Sequence, residues 1–120
     1  MLDLIIKNGK CYIEGELKDI DVAINDGKIH KIGQISKEAK KVLNAEGQIV
    51  LPGCIDTQTH FREPGSTDTE DLHSGSRAAI VGGITSVFEM PNTNPPTSTK
   101  VEFQKKLDLA KNRMYCNYAF

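Results

Sequence analysis

The sequence predicts an α/β protein, the start of a (β/α)8 barrel preceded by a small β-sandwich-like segment. Three observations carry this. Up to about residue 52 short apolar runs alternate with tight-turn residues; from residue 53 the pattern becomes strand, loop, helix, repeated; and residues 114–120 alternate like a strand still in progress. Strands alternating with helices imply parallel pairing, and parallel strands need cover on both faces. A (β/α)8 barrel takes about 250 residues, so the expected layout is a β segment over 1–52 and the first strand–helix units of an incomplete barrel over 53–120.

The elements follow in order. Residues 2–6 read as a strand, Asn8-Gly9 as a turn and residues 11–13 as a second strand. Ile20, Val22 and Ile24 alternate with polar neighbours, and Asn25-Asp26-Gly27 returns the chain toward Ile29 and Ile32 as a hairpin requires. A strand is expected at 41–43, and the apolar run Ile49-Val50-Leu51 is broken by Pro52-Gly53. Cys54-Ile55 reads as a short buried strand. Thr67-x-x-Glu70 reads as a capping box for a helix running to about Val81, where Gly82-Gly83 stops it. Residues 84–90 form the next strand. After the Pro-rich loop 91–96, a second box at Thr99-x-x-Glu102 starts a helix with Phe103, Leu107 and Ala110 on one face.

Composition narrows the class of function. An apolar fraction of 38% with 26% charged residues is ordinary globular material, and a net charge of −1 offers nothing to attract nucleic acid or an anionic membrane. A small molecule or another protein is the expected partner. No apolar run approaches the roughly 20 residues a membrane span needs, and the first residues lack a signal-peptide pattern, so the expected location is the cytoplasm. Cys11, Cys54 and Cys116 are widely spaced, odd in number and without C-x-x-C pairing, which argues against a disulfide framework and a thiolate zinc site and favours small buried apolar residues.

The chemistry concentrates in Pro52-Gly53-Cys54-Ile55-Asp56-Thr57-Gln58-Thr59-His60-Phe61-Arg62-Glu63-Pro64-Gly65. With a two-residue strand period, Asp56, Gln58 and His60 project together from the C-terminal end of the first barrel strand, where barrel active sites sit. His60 can offer an imidazole nitrogen to a divalent metal such as zinc, with Asp56 orienting groups around it. His30 and His73 read as surface or packing residues, Glu63-Pro64-Gly65 as a loop-fixing element.

This stretch resembles the metal-binding signature of the amidohydrolase superfamily, Asp-x-His-x-His at the end of strand one, with Gln58 in place of the first histidine. Phe61-Arg62-Glu63-Pro64-Gly65 and Met90-Pro91-Asn92-Thr93-Asn94-Pro95 resemble the dihydroorotases in particular. The related hydantoinases and allantoinases usually lack an arginine at the position of Arg62. The resemblance implies a metal-dependent hydrolase barrel that interconverts L-dihydroorotate and N-carbamoyl-L-aspartate in pyrimidine biosynthesis. One or two Zn2+ ions are implied, with His60 and the amide of Gln58 as metal ligands. Arg62 and Asn92 are the implied substrate carboxylate binders. The remaining ligands and the acid–base aspartate of the family come from later strands, so no catalytic residue is assigned within 1–120. Because an amide oxygen is a poorer zinc ligand than imidazole, Gln58 also admits a non-catalytic homologue that assembles with aspartate transcarbamoylase. The resemblance equally admits a homodimer, and an activity of hydantoinase or allantoinase type on another cyclic amide.

Overall fold

A computed structural model describes residues 1–120, which form two compact units, Met1–Pro52 and Gly53–Phe120. The first holds seven strands: β1 (Leu2–Lys7), β2 (Lys10–Ile13), β3 (Glu16–Asp19), β4 (Asp21–Asn25), β5 (Lys28–Gly33), β6 (Ala39–Asn44) and β7 (Ile49–Val50). They make a four-stranded sheet in the order β5-β4-β1-β6 and a three-stranded sheet in the order β3-β2-β7. Leu2, Ile5, Ala23 and Ile35 form the buried core. The β4–β5 hairpin turns on Asp26 and Gly27, both with positive φ (51° and 69°), the combination a two-residue turn of primed type needs.

One strand here differs from the expectation. β3 is rich in charged residues and has no apolar alternation, so only its turn betrays it: Glu14 and Gly15 both have positive φ (54° and 85°), and β3 then pairs antiparallel with β2. Ile29 and Ile32 lie on the edge strand β5 and are exposed rather than buried.

The second unit holds β8 (Cys54–Thr59), α1 (Leu72–Val81), β9 (Ile84–Glu89), α2 (Lys100–Ala110) and β10 (Asn117–Ala119). The strands are parallel, in the order β10-β9-β8, as alternation with helices requires. Phe61, Leu72, Ala79, Val87, Ala110 and Cys116 form the core. No helix of the chain is long and apolar enough to cross a membrane.

Four expectations for this unit are corrected. α1 begins at Leu72, not near Thr67, with Asp71 as its N-cap and Ser74 completing a reciprocal capping box. The reason is that carboxylates take the helix's first N–H groups: Glu63 Oε2 accepts from Leu72 N at 2.9 Å and Asp71 Oδ1 from Ser74 N at 2.6 Å. Thr67 and Glu70 lie instead in a turn, where the amides of Thr69 and Glu70 bond Ser66 O. In α2, Thr99 caps the Glu102 amide, but the Glu102 carboxylate pairs with Lys105, so the box is half made. The buried face of α2 is centred on Lys106 and Ala110, while Phe103 is exposed, because the Lys106 ammonium has a carboxylate to meet inside. Finally, Cys54 and Ile55 are exposed, since β8 is an edge strand; of the cysteines, Cys11 and Cys116 are buried.

Phe61 seats against α1 where the helix has no side chain. A Cβ on Gly75 would lie 2.4 Å from the Phe61 ring, deep inside contact distance. Gly75→Ala in the full-length protein should therefore lose about 1–3 kcal/mol of stability through overpacking. Denaturant unfolding checks it, and an unchanged midpoint would show that the ring can retreat freely.

The cap of α1 has a pH signature. Backbone donation from Ser74 holds the Asp71 carboxyl below its ordinary value, with the Ser74 hydroxyl adding to the effect. A depressed folded pKa means stabilisation is complete above the unfolded value of about 4 and is lost as pH falls through the folded one. The unfolding midpoint of Asp71→Asn should thus vary less with pH than the wild type below about pH 4. Parallel pH profiles would show that the capping charge contributes nothing.

Candidate functional site

The C-terminal ends of β8 and β9, with the loops that follow them, carry the candidate residues Asp56, Gln58, His60, Arg62 and Asn92. Between Asp56 and Thr59 the register slips: three steps along β8 face the two steps from Val87 to Glu89 on β9. One extra residue is thereby accommodated, so the strict two-residue period that would have aimed Asp56, Gln58 and His60 to one side does not run through to His60. Asp56 turns its carboxylate back on its own strand and accepts from Gln58 N at 2.9 Å. The Gln58 side chain is exposed and shares no hydrogen bond with His60.

His60 meets a different partner. Its Nδ1 lies 2.8 Å from Asn92 Oδ1, joining the loop after β8 to the loop after β9. An amide oxygen only accepts, so Nδ1 is the donor in this contact, and in the neutral ring Nε2 is then the nitrogen that holds the lone pair. Asn92 in turn keeps both Nδ2 protons for another acceptor. The structure thus brings together His60 and Asn92, which the sequence assigned to separate roles. Arg62 is exposed with a left-handed backbone (φ 61°) and forms no ion pair.

Beneath these residues lies a set of buried charges that sequence reasoning missed. Glu89, at the end of β9, and Lys106, from α2, form an ion pair in which both side chains are essentially fully buried. Glu89 Oε1 also accepts from Phe61 N at 3.3 Å, and Lys106 Nζ donates to Met90 O at 3.3 Å and lies over the Phe120 ring. Burial pushes the Glu89 carboxyl up, against the opposing pull of the Lys106 ammonium. Glu63 is gripped through both oxygens by Arg113 at 2.7 and 3.0 Å, and this hydrogen bonding holds the guanidinium's pKa above its ordinary value. Glu63 therefore fixes its loop. Gly65 completes it: φ is 124°, a Cβ would lie 2.9 Å from the Asn94 Cβ, and Asn94 N donates to Pro64 O at 2.9 Å.

A signal for the buried pair was present in the sequence. Glu89 falls two residues after Val87, on the buried side of an apolar strand, and Lys106 lies four before Ala110 on the buried stripe of α2. His73 sits on the exposed face of α1 beside the Tyr115 hydroxyl, 3.2 Å away, and His30 lies exposed in β5, so both fall where the sequence put them.

The donor set fits a metal in part. A ligating histidine usually donates its other ring N–H to an oxygen that fixes its orientation, and His60 does so through Nδ1, leaving Nε2 available. No three His, Cys, Asp or Glu side chains gather in this chain, so His60 would be one ligand among others supplied elsewhere.

Residues 49–119 match the family model described as "Amidohydrolase family". The chain is 48% identical over 113 residues to an allantoinase of Salmonella choleraesuis (strain SC-B67), covering 93% of this chain and 25% of the relative. It thus spans about a quarter of the length of the curated relatives it matches. Among solved structures it superposes on the L-hydantoinase (dihydropyrimidinase) from Arthrobacter aurescens with a TM-score of 0.88 and 32% identity, covering 99% of this chain and 27% of that one. The fold is shared, at 21% identity and a TM-score of 0.70, with an N-acyl-D-glutamate deacylase from Bordetella bronchiseptica complexed with zinc, over 98% of this chain and 28% of that one.

Proposed function

Because the chain belongs to the amidohydrolase family, we propose that it forms the N-terminal part of an enzyme that opens a cyclic amide of the allantoin or hydantoin type by hydrolysis. The observation that carries this reading is the 48% identity with an allantoinase, sustained over 113 residues. The chemistry at the strand ends supports it. Water must add to a ring carbonyl and the ring C–N bond must break, with a proton passed to the departing nitrogen. When bound, a divalent ion such as zinc supplies an acidified water and Lewis-acid stabilisation of the developing oxyanion. His60 Nε2 would be a ligand for it, with the ring oriented by Asn92. The Asn92 Nδ2 donors suit a carbonyl oxygen of the ring, and such rings present several.

A second reading, dihydroorotate as substrate, is favoured by Arg62. Its exposed guanidinium matches a planar carboxylate, which dihydroorotate carries and allantoin lacks. A panel of allantoin, hydantoin and dihydroorotate on the full-length protein separates the two. Allantoin or hydantoin should be the best substrate, with Arg62→Lys changing its turnover less than about tenfold. Preference for dihydroorotate, with a fall of about 100-fold in Arg62→Lys, would favour the second reading, since that loss matches a charge-assisted hydrogen bond at a positioned substrate.

Gln58 bears on whether the protein is an enzyme at all. Dialysed full-length wild type should retain zinc, Gln58→His should hold it more tightly, and His60→Ala should lose it, as metal analysis will read. If all three retain the same metal, or none retains any, the strand end is not a metal site, and a scaffold role beside aspartate transcarbamoylase becomes the better account.

A further inference from the structure

We propose that the buried Glu89–Lys106 pair is a positioning device that holds the ends of β8 and β9 in the relation the His60–Asn92 hydrogen bond requires, a role that rests on the reading of His60 as a metal ligand. The pair is sealed from water, and each partner directs a further bond to a different strand end: Glu89 Oε1 takes the Phe61 amide, one residue after His60, and Lys106 Nζ donates to Met90 O, two residues before Asn92. Met90 N donates to Thr59 O at 2.9 Å and Thr59 Oγ1 to Phe88 O at 3.2 Å, so residues 59–61 and 88–90 are linked through a closed circuit of bonds. His60 and Asn92 leave this circuit on opposite strands and meet above it.

Fold stability alone does not call for charges here. Replacing a buried ion pair with apolar residues of similar volume is commonly neutral or stabilising, whereas removing one partner is strongly destabilising. A pair present under those conditions, with its spare hydrogen bonds directed at the two segments that carry the candidate site, is explained by the geometry it imposes. Because Lys106 comes from α2, the pair also makes the site depend on where that helix lies.

The test compares full-length wild type with the double variant E89M/K106M, which removes both charges and leaves none unpaired. Zinc-free protein labelled with 15N-histidine reports the His60 ring, assigned with H60A. The wild type should show a single Nδ1-protonated form. The double variant should keep its thermal midpoint yet show the two ring tautomers exchanging, and bind zinc about 10-fold or more weakly, the scale on which outer partners of a metal ligand act. Retention of the single Nδ1-protonated form in the variant would overturn the proposal. If the double variant does not fold, E89D decides in the same measurement, because it keeps both charges but withdraws the carboxylate from the Phe61 amide. Zinc binding by H60A equal to wild type would instead sink the reading of His60 as a ligand, a different failure with its own signature.

Discussion

The constraint on which the second unit depends is a pair of opposite charges taken out of water between β9 and α2. Glu89 and Lys106 cannot do without each other: an ammonium or carboxylate left alone in that interior would face a penalty of about 3–5 kcal/mol, so the helix is obliged to present Lys106 at one place along β9. Everything above inherits that placement. The Phe61 amide is held by the same carboxylate, the Phe61 ring fills the notch at Gly75, and α1 is thereby set against the chain leaving β8.

A second buried carboxylate extends the logic into the loop. Glu63 receives the first amide of α1 and the fork of Arg113, so the start of one helix and the chain beyond the end of the other converge on a single side chain. Arg113 returns a further bond to Leu109 O at the end of α2 and approaches Asp71 at 3.6 Å. The loop between β8 and α1 is thus pinned at Phe61 and Glu63, while Arg62, between them, projects outward with a left-handed backbone. An arrangement of this kind leaves Arg62 exposed on a backbone that has little freedom to move.

The bulge in β8 explains how a strand that ends in chemistry can also pack. A regular strand would have paired Gln58 with Glu89; the extra residue places Thr59 there instead, buried and bonded to Phe88 O, and His60 follows it toward Asn92. Bulges are frequent beside active sites because they re-aim a side chain without breaking the sheet. In this chain the re-aiming separates His60 from Gln58, so the two residues of the metal signature are not equivalent in the structure. The proposed metal role rests more firmly on His60, whose ring is oriented by Asn92, than on Gln58, whose amide is exposed.

By itself the sequence determined the alternation of strand and helix after residue 53 and the turn at Asn25-Asp26-Gly27 in the preceding β segment, and it singled out the stretches around His60 and around Asn92, which the fold brings together. These are local properties: turn residues with their φ preferences, apolar periodicity, and motifs read along a few consecutive residues. The resemblance carried the family as well, but Arg62 weighted it toward dihydroorotases, whereas the relatives the chain matches are allantoinases and hydantoinases. Only the tertiary structure decided where α1 begins, because its orphan amides are shared out between Asp71, which takes Ser74 N, and Glu63, eight residues further upstream, which takes Leu72 N. Tertiary structure also decided that Lys106 faces inward, that Phe103 does not, and that His60 pairs with Asn92 rather than with Gln58. These depend on partners 9 to 50 residues away in sequence: Glu63 for Leu72, Glu89 for Lys106, Asn92 for His60 and Arg113 for Glu63. No local period encodes such pairings, because a charge can be buried only where the fold delivers its counter-charge.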